Sequence, residues 1–151
     1  MRKIILSVMM TVLMANSAIA DDKVVSADTL PQSSKSFIAS NFEGATVTYV
    51  EKDFDSYDVQ LSNGIEIDFK RNGEWENVES MQTPVPTSIL QAPVVTSVTK
   101  AHPQATIMKV EKERGNFEIK LNNMMELVIS PSGKLSSNPS KSPCDTSLGS
   151  S

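Results

Sequence analysis

One Cys, one His and one Trp occur in 151 residues. A zinc cage or a His cluster needs several such ligands, and an internal disulfide needs two thiols, so the chain can build none of them. Basic charge is also scarce. Lys and Arg number 14 against 18 Asp and Glu, giving a net charge of −4 and a pI near 5.0. That balance lacks the basic footprint of a nucleic-acid partner. P-loop, Rossmann glycine and zinc-protease patterns are missing too, and no cofactor or metal is expected. A hydrolytic triad needs a nucleophile beside a base that a third group orients. The lone His102, just before Pro103, reads instead as a packing or surface residue at a helix end. The chain is expected not to be an enzyme.

Residues 1–20 carry an export signal: Arg2 and Lys3, an apolar run from Ile4 to Met14, then Ala18-Ile19-Ala20 ahead of Asp21-Asp22. The apolar run is interrupted by Asn16 and Ser17 and falls short of the ~18 residues that span a bilayer. No Cys follows it, so no lipid or membrane anchor is expected after cleavage. The exported chain then has 131 residues and a charge of −6, in the periplasm or outside the cell. Residues 137–151, rich in Ser, Pro and Lys with Leu148 as the one large apolar residue, are expected to form a disordered tail. Cys144 lies there as an incidental thiol, with an intermolecular disulfide as the functional alternative.

The sequence repeats at an offset of sixty. Ala45-Thr46-Val47-Thr48-Tyr49-Val50-Glu51-Lys52 aligns with Ala105-Thr106-Ile107-Met108-Lys109-Val110-Glu111-Lys112, and Tyr57 to Asn63 aligns with Phe117 to Asn123. Two units follow, 28–80 and 84–136. Each opens with a helix: Phe37, Ile38 and Phe42 form the first apolar stripe, and Val94, Val95 and Val98, after Pro93, the second.

The remainder of each unit alternates with period two, which predicts half-buried antiparallel strands. A three-residue loop Ser62-Asn63-Gly64 pairs Leu61, Val59 and Tyr57 with Ile65, Ile67 and Phe69 on one face. Arg71-Asn72-Gly73 and Pro131-Ser132-Gly133 are read as matching turns, pairing Phe69 with Trp75 and Ile129 with Leu135. A four-residue loop at Asp53 to Ser56 sends Thr48 and Val50, or Met108 and Val110, to the core and leaves Tyr49 and Lys109 outside. Met124 stands where Gly64 stood, and a positive φ at Met is strained, so the second hairpin is expected to turn differently. A short fourth strand is placed at Trp75 to Val78. The fold class is α+β: two tandem helix-plus-antiparallel-sheet repeats sharing one curved sheet.

Leu30-Pro31 or Val85-Pro86, a short helix, Ala45 to Lys52 or Ala105 to Lys112, Tyr57 to Gly64 or Phe117 to Asn123, and Gly73 to Trp75 together resemble the PepSY-like family of exported bacterial proteins. The resemblance spans about 30–135 and departs at Met124, at Leu135 in place of Trp, and in the longer lead-in from Pro86 to His102. It implies a fold similar to β-lactamase inhibitor protein. It also implies binding or restraint of secreted peptidases, as suggested for the related PepSY domain.

The residues point to a polar sheet face as the working surface. One unit shows Asp58, Glu66, Asp68, Lys70, Glu74 and Glu76 there, net −4; the other shows Lys109, Glu118, Lys120, Glu126 and Lys134, net +1. The candidate binding residues are Tyr49, Asp58, Glu66, Asp68, Trp75 and Lys109, although register turns Trp75 toward the core. Their expected partner is an exported protein, a peptidase or another envelope protein, steered by charge. The alternative is a periplasmic small-ligand or Ca2+ sensor using Asp53, Asp55 and Asp58, although that loop lacks the glycine and distal Glu of an EF-hand.

Overall fold

Period-two alternation becomes strand after strand. In the computed structural model, which describes residues 23–136, nine strands form one antiparallel sheet in chain order. They are β1 (Lys23–Val24), β2 (Val47–Lys52), β3 (Ser56–Leu61), β4 (Ile65–Lys70), β5 (Trp75–Ser80), β6 (Ile107–Glu113), β7 (Asn116–Leu121), β8 (Glu126–Ile129) and β9 (Leu135–Ser136). Two helices accompany them, α1 (Gln32–Asn41) and α2 (Ala92–Ala101), each after a short 3-10 turn. The fold is therefore α+β. The expected signal at 1–20 and the expected tail with Cys144 lie outside the described residues.

Pro31 stands at the N-cap of α1, and Pro93 falls within the first turn of α2, where a missing N–H costs nothing. The lead-in from Pro86 is not helical throughout: it makes a 3-10 turn at Thr87–Ile89 before α2 begins. Phe42 and His102 close the two helices alike, their N–H groups donating to Ile38 O and Val98 O.

Both helices lie on the apolar face of the sheet. Val59, Ile67, Phe69, Val78, Val110, Ile119 and Ile129 are fully buried there, with Ile38, Val94 and Val98 from the helices above them. Phe37 of α1 stacks on Trp75 at 5.7 Å between ring centroids, and Trp75 stacks on Phe117 of β7 at 6.4 Å. The Lys112 ammonium sits 3.7 Å over the indole, where an aromatic face attracts it.

Strand register follows the expected pairs in the first hairpins: Val59 opposite Ile67, Tyr57 opposite Phe69, Phe69 opposite Trp75 and Ile129 opposite Leu135. The fourth strand runs on to Ser80 and joins β6 through Asn77–Glu111, Val78–Val110 and Glu79–Lys109.

Two expectations are corrected. Thr48 and Met108 do not enter the core as fully buried strand residues. A bulge falls between Val47 and Tyr49, and again between Ile107 and Lys109, so Ile107 takes the buried place. The extra residue of a bulge is left unpaired. Thr48 is exposed and donates its hydroxyl to Gln60 O, while Met108 stays half-buried. Met124, second, takes the glycine's conformation rather than avoiding it. Its φ is 66°, and its N–H donates to Leu121 O just as Gly64 N–H donates to Leu61 O. Asn63 and Asn123 carboxamides accept from the N–H groups of Ile65 and Met125 in both turns. That shared side-chain clasp holds the turn despite strain on the order of 1 kcal/mol.

Gly133 tucks beneath α2, its carbonyl accepting the Ser97 hydroxyl. A Cβ at Gly133 would meet Pro93 O at 2.6 Å at a φ of +85°, whereas one at Gly64, φ +81°, would meet open space. Gly64→Ala should therefore cost about 1 kcal/mol through backbone strain alone. Gly133→Ala should cost roughly 2–4 kcal/mol, because the α2 backbone must also move. Urea unfolding of the two variants measures the difference.

Candidate functional site

The face away from the helices is organised as two cross-strand rows, because directly paired residues in adjacent strands point the same way. One row runs Tyr49, Gln60, Glu66, Glu79, Lys109, Lys120 and Glu126. The other runs Glu51, Asp58, Asp68, Asn77, Glu111 and Glu118, one residue from each of β2 to β7. Five carboxylates and one carboxamide thus stand side by side at the strand spacing of about 5 Å. All six side chains belong to half-buried residues.

Like charges directly opposite one another in a sheet repel, and the titration of these groups reflects it. Burial first, then Asp68 and Glu51, pushes the Asp58 carboxyl above its ordinary range. Burial followed by Asp68 and Glu79 raises Glu66. Asp68 is raised mainly by burial, although the Asn77 amide donates to it at 3.0 Å and opposes the shift. Glu118 is raised by burial and then by Glu111. Asn77 Oδ1 is buried and accepts no hydrogen bond among the described residues.

Five of the six predicted site residues, Tyr49, Asp58, Glu66, Asp68 and Lys109, share this face in register. Lys109 is engaged internally: its ammonium lies 3.0 Å from Glu111 and 3.6 Å from Glu79. Burial pulls its pKa down, but hydrogen bonding and charge from those two carboxylates outweigh it and leave the pKa raised. Tyr49 also lies in the first row, half-buried, its hydroxyl donating to Glu51 Oε2 at 2.9 Å. Trp75 does not belong to the surface. It faces the helices with 8% exposure, as a bulge near Phe69 and the stack with Phe37 and Phe117 require.

Glu51, Asn77, Glu79 and Glu111 were missed. The signal for Glu51 and Glu111 was present, because the alternation that leaves Tyr49 and Lys109 outside also leaves outside the residues two further on. The acidic character consequently does not stop at one unit: Glu111 and Glu118 carry the row across the β5–β6 join.

The expected calcium loop is less coherent. Asp53 folds its carboxylate back on Phe54 N–H, Asp55 contributes its carbonyl to Arg71 N–H, and only Asp58 belongs to the row. No group of three or more His, Cys, Asp or Glu arranged to hold a metal ion occurs among the described residues. His102 borders cavities of about 380 and 180 Å3 whose linings contain no carboxylate to orient it as a base.

A family model described as "Putative beta-lactamase-inhibitor-like, PepSY-like" matches the chain twice, over residues 19–66 and 55–137. The chain belongs to the PepSY-like family. Solved structures of Bacteroides proteins are similar to this PepSY-like chain. One, from Bacteroides thetaiotaomicron, is described as a putative calcium-regulated periplasmic protein; it is 32% identical, with a TM-score of 0.71 over 76% of this chain and 94% of that one. Another, from Bacteroides vulgatus, is a putative periplasmic protein that is 28% identical, with a TM-score of 0.69 over 76% and 94%. A third, from the same species and of unknown function, is 28% identical, with a TM-score of 0.68 over 76% and 98%. No match was found among curated proteins. No helix among the described residues of the PepSY-like chain is long and apolar enough to cross a membrane.

A carboxyl whose folded-state pKa is raised keeps a proton that the unfolded chain has already released. Stability is then fully present below the unfolded value, about 4, and is lost as pH rises through the raised one. The four raised carboxyls Asp58, Glu66, Asp68 and Glu118 all act in this direction. The melting temperature should therefore rise as pH falls from 7 to about 4. Asp68→Asn keeps an acceptor for Asn77 and removes one charge; it should raise the pH 7 melting temperature by roughly 2–4 °C and flatten the pH dependence. Thermal melts at both pH values check this.

Proposed function

We propose that the chain is two copies of one helix-plus-sheet unit fused into a single sheet. We further propose that it works as an exported, non-catalytic binding module on the polar face of that sheet. The observation that supports this reading is the row of Glu51, Asp58, Asp68, Glu111 and Glu118, carried in register across both units with only Asn77 between Asp68 and Glu111. Such a line of half-buried, mutually repelling carboxylates gains when a cationic group replaces the missing counter-charge, and it steers basic partners by long-range attraction. The partner that fits is a basic stretch of another exported protein, a peptidase or another envelope protein. Glu66 and Tyr49 border the row and would meet the same segment.

A second reading has its own support. The row could answer to Ca2+, since one of the similar solved structures, at 32% identity, is described as calcium-regulated. Here Ca2+ would act as a counter-ion lying along the row, largely hydrated, since no three acidic residues among the described residues are arranged to enclose it.

Two measurements separate these readings. In a pull-down of envelope proteins, capture should fall as salt rises and disappear with Glu66→Lys and Asp68→Lys together; the same partners surviving charge reversal would exclude the face. Under the calcium reading, millimolar Ca2+ should raise the melting temperature of the unaltered protein by several degrees, and Glu111→Gln should abolish that shift. A Ca2+ titration without a thermal shift removes the second reading and leaves the first standing.

A further inference from the structure

Outside residues 1–20 the chain has four methionines, Met81, Met108, Met124 and Met125. Methionine is ordinarily a filler of irregular core space. None of the four is among the buried apolar side chains, which are aliphatic and aromatic throughout. Instead Met81, Met108 and Met124 line one open groove of about 530 Å3 at the end of the sheet where β5, β6 and the β7–β8 turn meet. Met81 is 95% exposed and Met124 is 77% exposed.

Each of the three reaches the groove through a local departure from regular structure. Met81 follows Ser80, the last residue of β5. Met108 is the extra residue of the β6 bulge; regular alternation would have buried it. Met124 holds a left-handed φ of 66° where the first unit has Gly64. The pairs Glu79–Lys109 and Lys109–Lys120 make β5, β6 and β7 consecutive neighbours. Met108 therefore stands between β5 and β7, each one strand spacing away, near 5 Å, and Met81 and Met124 lie just past the ends of those two strands. Side chains with three rotatable bonds can close such gaps around a single ion.

We propose that this groove binds a soft monovalent cation, Cu(I), through the thioethers of Met81, Met108 and Met124. Thioether sulfur is a soft ligand that selects Cu(I) over the hard ions carboxylates prefer. It has no proton to lose on binding, and it is not consumed by disulfide formation in an oxidising compartment as a thiol is. Glu66, Glu79, Lys109 and Lys120 also line the groove, with the Lys109 ammonium held by Glu79 and Glu111; the charges balance, so sulfur rather than net charge selects the ion. The site is independent of the acidic row: it uses sulfur, and its ligands lie at one end of the face.

The test uses residues 21–151, which hold the whole described fold, with Cys144→Ser so that no thiol competes. Ag(I) serves as a redox-inert probe, followed by the methionine methyl resonances, and Cu(I) is measured anaerobically against a chromophoric chelator. One equivalent of Ag(I) should move the methyl signals of Met81, Met108 and Met124 together and leave Met125 in place. Met108→Leu should weaken Cu(I) binding at least tenfold, Met81→Leu and Met124→Leu several-fold, and Met125→Leu not at all. Leucine keeps the volume and apolar character and removes only the sulfur, so a groove built merely for apolar docking would be indifferent to these changes. Binding unaffected by Met108→Leu, or no saturable uptake of either ion, overturns the proposal.

Discussion

The β5–β6 pairing is the contact on which the rest of the structure depends. Three residue pairs, Asn77–Glu111, Val78–Val110 and Glu79–Lys109, convert two groups of strands into one sheet. On one side of that seam Val78 and Val110 continue the core without interruption, both fully buried. Trp75 reinforces it from the same side, stacked between Phe37 and Phe117 under the Lys112 ammonium. On the other side the seam brings Asn77 next to Glu111 and Glu79 next to Lys109, so every long-range feature of the polar face passes through it. Either group of strands alone would have too thin a core to be robust. Sharing one continuous apolar layer answers that deficit, and the continuous polar face comes with it.

The polar face is unlike the usual surface mixture of alternating charges. Lys109 is the one cation in direct ion pairing at the centre, and it is bound to the Glu79 and Glu111 carboxylates on either side of it. Asp58 and Asp68, directly opposite each other, have no such partner among the ion pairs of the described residues. The fold tolerates that arrangement because the apolar layer beneath is dense, with Val59, Ile67 and Phe69 wholly enclosed. Stability is thus supplied on one face and partly given up on the other, a distribution common where a surface is used for recognition.

Much of this was legible from the amino acids alone. Alternation in Tyr57 to Leu61 and Ile65 to Phe69 set register correctly because a one-residue slip would have put every apolar side chain in water. The three-residue loop ending at Gly64 followed from the same constraint. The bulges were not legible, because Thr48 and Met108 read equally well as inward-facing strand residues. Their true phase depends on how β2 and β6 leave the preceding helices. The turn at Met124 was not legible for a different reason: the Asn123 carboxamide, which accepts from Met125 N–H, stabilises locally a backbone whose positive φ disfavours Met. The missing members of the acidic row, Glu51 and Glu111, lie three residues beyond the bulged Thr48 and Met108, in the paired part of the strand.

The meander order has a consequence for how the molecule can be assembled. Each strand of β1 to β9 pairs only with its neighbours in sequence, so no pairing has to wait for a distant segment. Contacts of low sequence separation form early and quickly, and only the β1–β2 and β5–β6 pairings must bridge a helix. A chain that emerges N-terminus first can therefore add strands in the order they appear. The growing edge would always be the template for the next strand, and the cationic Lys109 would arrive only after Glu66 and Glu79 were already in place.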